Sequence, residues 1–159
     1  MIPLSPNDVI LLMVDDDQDD CMMTQRALRG TPLEHSLRFA EDGADLMDYL
    51  NKRGRYSEPG SSPCPDLILL DLNMPRMNGL EALRELKSNP AFRSIPVVVM
   101  TTSKGQEDVL AAYELGANAF VTKPVIFSAL REVMQKLGEF WFDIAKRPHH
   151  GHSNSTEEA

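Results

Sequence analysis

The sequence predicts a three-layer α/β sandwich in which helices cover both faces of a five-stranded parallel β-sheet. Short apolar segments rich in Val, Ile and Leu, most clearly at 9–14, 66–70 and 96–100, alternate along the chain with stretches of helical periodicity. Short apolar runs are typical of strands that are buried on both faces, as parallel strands are. Successive parallel strands need crossover helices, which are nearly always right-handed. At 159 residues the chain has room for one domain with a complete core.

The amino-terminal half is predicted to form two strands and two helices in alternation. Their ranges are 9–14 for the first strand, 18–28 for the first helix, 36–40 for the second strand and 43–51 for the second helix. Gly30 and Pro32 end the first helix, because both residues break helices. Asp42 precedes the second helix and is a favoured N-cap residue. Residues 54–65, with three prolines and two glycines, form a surface loop.

The carboxyl-terminal half continues the alternation. The predicted ranges are strand 66–72, helix 80–87, strand 95–101, helix 106–115, strand 119–122 and helix 126–142. Gly116 suits the left-handed cap that ends the fourth helix. The last helix carries one apolar stripe, which we expect to pack on the sheet. The stripe consists of Ile126, Leu130, Val133, Met134, Leu137, Phe140 and Trp141.

Composition limits both the organisation and the partners of the chain. We predict one domain over residues 9–145, a tail over 1–8 and a disordered polar tail over 146–159, whose three histidines indicate adventitious metal affinity. The formal charge of −8 repels nucleic acid and anionic membrane surfaces. The apolar runs are much shorter than a membrane span. These features predict a cytoplasmic protein without nucleic-acid or membrane partners.

Side chains that suit phosphoryl chemistry stand at the ends of four predicted strands. Asp15 and Asp16 follow the first strand, Asp71 follows the third, Thr101 ends the fourth and Lys123 follows the fifth. Ligands of parallel sheets bind outside the carboxyl ends of the strands. One edge of the sheet is therefore predicted to collect three carboxylates, a hydroxyl and an ammonium group.

This set of groups can bind a metal ion and accept a phosphoryl group. Crowded carboxylates repel one another unless a cation lies among them, and a hard divalent ion such as magnesium (Mg²⁺) takes oxygen ligands. A carboxylate can also act as a nucleophile and form an aspartyl phosphate. An ammonium group and a hydroxyl stabilise the charge on the phosphoryl oxygens. Asp71, Lys123 and Thr101 fit these three roles.

Acidic residues after a strand also serve as helix caps. For Asp17, Asp19 and Asp20 we favour this interpretation, because they lie at or in the first helical turn, where the helix dipole stabilises anions. For Asp15 and Asp16 we favour a functional role, because side chains suited to the same phosphoryl chemistry also stand at the ends of three other strands.

Four segments of the chain resemble the receiver domain of two-component response regulators, which has the CheY-like fold. They are VDDD at 14–17, LILLDLNMPRMNG at 67–79, PVVVMTTS at 96–103 and GANAFVTKP at 116–124. The resemblance extends over nearly all of residues 9–141. It implies the flavodoxin-like strand order 2-1-3-4-5, which the residues alone do not determine.

The resemblance also implies the roles of single residues at the acidic edge. Asp71 would be the phosphoacceptor. Asp15 and Asp16 would hold Mg²⁺ together with Asp71, Asp15 through water, and the backbone carbonyl of Asn73 would complete the protein ligands. The phosphoryl donor would be a sensor histidine kinase or a histidine phosphotransfer protein.

A second set of residues would respond to the phosphoryl group. By the resemblance, Thr101 would swing toward it and Lys123 would pair with it. Phe120 occupies an aromatic switch position at which Tyr is frequent in the family. The resemblance further implies a cis bond between Lys123 and Pro124.

A narrower resemblance is to the stand-alone regulators that act with phytochrome-type histidine kinases. It rests on the loop before the third strand, on the TTSxxxxD run at 101–108 and on the aromatic residues 140–142. Such proteins often form homodimers through the face that contains the fourth helix, the fifth strand and the last helix. Two of the three aromatic residues can instead complete the core.

The sequence therefore predicts a single-domain response regulator that is phosphorylated on Asp71 and signals through protein contacts. It is a signalling protein and not an enzyme, apart from slow self-dephosphorylation. One alternative is a hydrolase with an aspartyl-phosphate nucleophile, but such enzymes carry an acid two residues later, where Asn73 stands. The other alternative is an unphosphorylated scaffold, which the complete set of site residues disfavours.

Overall fold

The computed structural model describes residues 9–102 and 105–144. Its parallel strands are β1 (Leu11–Val14), β2 (Leu37–Ala40), β3 (Leu67–Leu70), β4 (Val97–Thr101) and β5 (Ala119–Thr122). They form one sheet in the order β2-β1-β3-β4-β5, which confirms the order that the resemblance implies. The flanking segments predicted at 1–8 and 146–159, including the histidine tract, lie outside the described residues.

The helices begin within about one residue of their predicted positions. They are α1 (Gln18–Ala27), α2 (Gly43–Asn51), α3 (Gly79–Ser88), α4 (Gln106–Glu114) and α5 (Phe127–Gly138). Asp42 caps α2 as predicted, because its side chain accepts a hydrogen bond from the amide of Asp45. Gly116 has φ +110°, the conformation expected after the end of α4. In the part of the chain that the structure describes, no helix is long and apolar enough to cross a membrane.

The three central strands β1, β3 and β4 are buried on both faces, as their apolar runs predict, whereas the edge strands β2 and β5 are only partly buried. Alternate residues of each strand point to opposite sides, so a strand supplies two core clusters. In β1, Leu12 and Val14 pack with the helices α2, α3 and α4, whereas Leu11 and Met13 pack with α1 and α5. The carboxyl ends of the strands lie together at one edge of the sheet, where polar side chains follow them.

A glycine at the start of α3 brings the connection after β3 back against the strand. A Cβ atom on Gly79 would overlap the carbonyl oxygen of Asp71 and lie 2.6 Å from the Cα atom of Leu72. The amide of Gly79 donates to the carbonyl of Leu72 at 3.0 Å. The absence of a side chain here therefore sets the path of the chain next to Asp71.

The last helix differs from its prediction at both ends. Ile126 is the N-cap of α5 and is 63% exposed, so it does not join the stripe on the sheet. After Gly138 the chain widens into a π-helical segment, Glu139–Ile144. The wider turn changes the angular spacing of the side chains. Phe140 is consequently 49% exposed, while Trp141 and Phe142 pack against the core.

Candidate functional site

Three carboxylates meet at the carboxyl edge of the sheet. Asp15 and Asp16 follow β1 and Asp71 follows β3, and one oxygen atom of each lies within 4.8 Å of the others. Asp15 and Asp71 are buried, whereas Asp16 is exposed. The amide of Asp71 donates to the carbonyl of Val14 at 3.0 Å, which fixes the two strand ends side by side. An all-oxygen set of this kind fits a hard divalent cation such as Mg²⁺.

The ammonium group of Lys123 lies among these carboxylates. Its Nζ atom is 2.8 Å from Oδ2 of Asp15 and 3.7 Å from Oδ2 of Asp71. Burial alone would lower the pKa of Lys123, but its hydrogen bonds to Asp15 and Asp20 outweigh this effect and raise the pKa above its ordinary value. Lys123 is therefore a permanent cation at neutral pH.

Asp15 is the most buried of the three carboxylates. Burial raises the pKa of Asp15 to about 6, although the hydrogen bonds from Lys123 and from the amide of Asp17 favour the charged form. Its Oδ1 atom accepts from the Asp17 amide at 2.9 Å, and its Oδ2 atom accepts from Lys123. Each oxygen of Asp15 thus accepts one hydrogen bond, and the neighbouring Lys123 ammonium favours the charged form of the carboxylate.

Asp20 belongs to the site, which the sequence interpretation missed. The prediction that Asp17 caps α1 is confirmed, because its carboxylate accepts from the amides of Asp19 and Asp20. Asp20, however, also places its Oδ2 atom 2.7 Å from Nζ of Lys123. Helix capping alone therefore does not describe the role of Asp20. The sequence placed Lys123 at the same edge as several acidic residues, but it did not show which of them the ammonium group would contact.

Thr101 and Asn73 lie at the other side of the acidic cluster. Thr101 is fully buried at the end of β4, and the side-chain amide of Asn73 donates to its hydroxyl across a long 3.5 Å contact. Asn73 itself is exposed. The structure therefore places the predicted hydroxyl at the same edge as the carboxylates.

Phe120 lies deeper in the sheet, two residues before the end of β5. Its ring is partly buried and packs against the core cluster on the α2, α3 and α4 side. Its backbone N–H donates to the hydroxyl of Tyr113 in α4 at 3.1 Å. Phe120 is thus connected to α4 and does not contribute to the acidic cluster.

The bond between Lys123 and Pro124 is trans, since no cis peptide occurs among the described residues. The cis bond implied by the resemblance is therefore wrong for this structure. The trans form is the intrinsically favoured isomer before proline, by about 0.5–1 kcal/mol.

The strand order and the acidic edge are those of the CheY-like α/β signalling domains. Residues 11–135 match the family model of the response regulator receiver domain. The chain belongs to this family and is a phospho-accepting response regulator. Membership implies a histidine kinase as its partner.

Individual relatives are similar over most of the chain. The response regulator Rcp1 of Synechocystis sp. is 39% identical over 139 residues, which are 87% of this chain and 92% of Rcp1. The phosphorylated cyanobacterial phytochrome response regulator RcpA is 36% identical, with a TM-score of 0.82 over 89% of this chain and 99% of RcpA. The structure of Mn²⁺-bound Rcp1 is 38% identical, with a TM-score of 0.79 over 89% of this chain and 99% of that one.

Proposed function

We propose that Asp71 accepts a phosphoryl group from a phosphohistidine, and that the phosphorylated chain signals through contacts with other proteins. The observation that carries the proposal is the environment of Asp71. It is a buried carboxylate, 3.7 Å from the Lys123 ammonium and within 4.8 Å of two further carboxylates. Such a site stabilises negative charge that develops on a transferring phosphoryl group.

Asp71 is better suited to attack phosphorus than its two neighbours. Both oxygens of Asp15 accept hydrogen bonds, and Asp16 is exposed to solvent. Within the described residues, the carboxylate of Asp71 accepts no hydrogen bond within 3.5 Å and retains a free oxygen for bond formation. In the proposed step this oxygen forms a P–O bond while the P–N bond to the imidazole breaks. The imidazole keeps the electron pair of that bond and takes up a proton.

The acidic cluster is the proposed Mg²⁺ site. Asp16 and Asp71 would bind the ion, Asp15 would contribute through water and the backbone carbonyl of Asn73 would complete the set. When bound, the ion supplies positive charge that screens the carboxylates and the phosphoryl oxygens. The Mn²⁺-bound form of Rcp1 supports this assignment.

The remaining site residues would report phosphorylation. Lys123 would pair with the new phosphoryl oxygens, and the hydroxyl of Thr101 would donate a hydrogen bond to one of them. Movement of Thr101 at the end of β4 would then allow Phe120 to change its packing. Phosphorylation thereby biases a two-state surface around α4, which a partner can recognise.

The partner surface follows from the exposed apolar residues. Leu110 and Tyr113 on α4 are exposed, and Phe140 follows α5. We propose that a receiver domain over residues 9–145, with 1–8 and 146–159 as tails, forms a homodimer through the α4, β5 and α5 face. The similarity to RcpA, a cyanobacterial phytochrome response regulator, supports a phytochrome-type kinase, with a histidine phosphotransfer protein as the other candidate donor.

The same proposal assigns this protein to the cytoplasm and excludes nucleic acid as a ligand. The charge of −8 opposes binding to a polyanion. The chain does not act as an enzyme on other substrates, because Asn73 stands where aspartyl-phosphate hydrolases carry their second acid. Slow loss of its own phosphoryl group is the only turnover expected.

Intact-protein mass after incubation with acetyl phosphate tests the function. We expect a Mg²⁺-dependent gain of one phosphoryl group in the wild type and none in Asp71→Asn. A gain of equal size in Asp71→Asn would place the acceptor elsewhere. No gain in the wild type, even with a phosphorylated histidine kinase as donor, would favour the scaffold. Sustained release of phosphate from p-nitrophenyl phosphate would favour the hydrolase.

A further inference from the structure

The Lys123 ammonium has two carboxylate partners on the α1 side of the site. Its Nζ atom lies 2.8 Å from Asp15 and 2.7 Å from Asp20, but 3.7 Å from Asp71. An ammonium group has three N–H donors, and two of them are used by Asp15 and Asp20. Lys123 is therefore held slightly away from the residue whose phosphoryl group it would bind.

We propose that Asp20 is a positioning residue that competes with the phosphoryl group on Asp71 for the Lys123 ammonium. The inference rests on the proposed function of Asp71 and adds a residue that opposes phosphorylation. Asp20 thereby sets how readily the chain enters and keeps the phosphorylated state.

Burial decides which of the two α1-side contacts can break. The side chain of Asp15 is 1% exposed, so release of Lys123 would leave a buried carboxylate without its cation, which is costly. The side chain of Asp20 is 32% exposed and lines, with Lys123, a groove of about 220 Å³. Water can solvate Asp20 after release. The Asp20 contact is therefore the one that yields when Lys123 moves toward Asp71.

Charge provides the driving force for that movement. Phosphorylation replaces the single charge of Asp71 with a phosphoryl group of about −2 and three acceptor oxygens. Lys123 then gains a stronger partner in the phosphorylated Asp71, while Asp20 continues to attract the ammonium. Replacing Asp20 by Asn keeps the shape of the side chain but removes its charge, which weakens the attraction for the ammonium. The phosphorylated state of the variant should be favoured.

Binding of the beryllium trifluoride anion, a mimic of a phosphoryl group on a carboxylate, tests the proposal. Affinity is measured by calorimetry at saturating Mg²⁺ for the wild type, Asp20→Asn and Asp20→Glu. We expect Asp20→Asn to bind at least about threefold more tightly, because interaction energies between contacting charged residues are of this size or larger. Asp20→Glu restores the carboxylate and should return the affinity toward the wild-type value.

Asp19→Asn is the matched control. Asp19 lies in the same first turn of α1 and is exposed, and its side chain makes no ion pair among the residues that the structure describes. This variant removes the same charge and the same helix-dipole contribution, so its affinity should stay within about twofold of the wild type. Equal gains in Asp19→Asn and Asp20→Asn would overturn the proposal, as would an Asp20→Asn affinity equal to or weaker than that of the wild type.

Lys123→Met tests whether Asp20 acts through the ammonium. The gain from Asp20→Asn should disappear in this background. An undiminished gain would contradict competition for Lys123. A wild type that neither binds the anion nor is phosphorylated would instead refute the proposed function, so the two failures can be distinguished.

Discussion

Arg76 donates two hydrogen bonds to the carboxylate of Asp42, from Nε at 2.7 Å and from Nη2 at 3.0 Å. Asp42 is buried and also caps α2, whereas Arg76 lies in the loop after β3 with φ +63°, an uncommon value for a residue other than glycine. The neighbouring amide of Gly43 donates to the carbonyl of Met77 at 3.0 Å. The loop that follows the proposed phosphoacceptor is therefore anchored to the start of α2.

This contact predicts a pH-dependent stability. Burial alone would raise the pKa of Asp42, but its hydrogen bonds with Arg76 and with backbone amides outweigh burial and hold the pKa below its ordinary value. The resulting stabilisation is complete above the unfolded pKa of about 4 and is lost as the pH falls through the lower folded pKa. Asp42→Asn should lower the free energy of unfolding by about 1–2 kcal/mol at pH 7 and flatten its decline below about pH 4.

Chemical denaturation between neutral and acidic pH provides the measurement, with Asp48→Asn as control. Asp48 forms an exposed pair with Arg53 at 3.3 Å, and such pairs contribute little. A flattened pH profile in Asp48→Asn and an unchanged one in Asp42→Asn would contradict the assignment.

A side chain at Gly79 should disrupt the connection after β3. Its Cβ atom would overlap backbone atoms of Asp71 and Leu72, which cannot move aside as a flexible side chain can. We expect Gly79→Ala to lower the free energy of unfolding by about 3 kcal/mol or more in urea denaturation. Gly105→Ala is the control, because its Cβ atom meets nothing within 4 Å. A loss of similar size in both variants would contradict the steric explanation.

The positions of the three central strands could be predicted because these parallel strands are buried on both faces. Their apolar runs are therefore continuous, and polar residues directly after them mark the carboxyl edge. This reasoning located Asp15, Asp16 and Asp71 at one edge, and the structure brings their oxygens together. The strand order needed the resemblance, since the residues alone do not determine which strands are neighbours.

Details that depend on packing between elements could not be predicted. In the sequence, Asp20 is an acidic residue in the first turn of a helix, where such residues are common. Its contact with Lys123, however, joins residues 103 positions apart. Periodicity placed Phe140 on the apolar stripe, but the π-helical segment turns it toward solvent. The hydrogen bond between the Tyr113 hydroxyl and the edge strand β5 likewise depends on how α4 packs against the sheet.

Tyr113 supplies a hydrogen bond that a local measurement can detect. Its hydroxyl accepts from the amide of Phe120 at 3.1 Å, on the outer edge of β5. Tyr113→Phe should accelerate hydrogen exchange at the Phe120 amide by about two- to tenfold, because a typical hydrogen bond contributes about 0.5–1.5 kcal/mol. Tyr49→Phe, which removes a hydroxyl bonded to Pro63 instead, should leave this amide unchanged. Equal exchange rates at Phe120 in Tyr113→Phe and the wild type would exclude the contact in solution.

Asp16 should have opposite effects on stability with and without a divalent ion. In the presence of a chelator, three carboxylates within 4.8 Å repel one another, so Asp16→Ala should raise the free energy of unfolding. The gain should be small, about 0.5 kcal/mol, because Asp16 is exposed and water screens its charge.

Added Mg²⁺ should stabilise the wild type in proportion to the logarithm of its concentration, since it binds only the folded chain. Asp16→Ala should lose most of this response, so that the wild type becomes the more stable protein at high Mg²⁺, while Asp19→Ala should respond as the wild type does. Denaturation curves across a Mg²⁺ series measure both effects, and a variant that is less stable in chelator would show that repulsion does not strain the site.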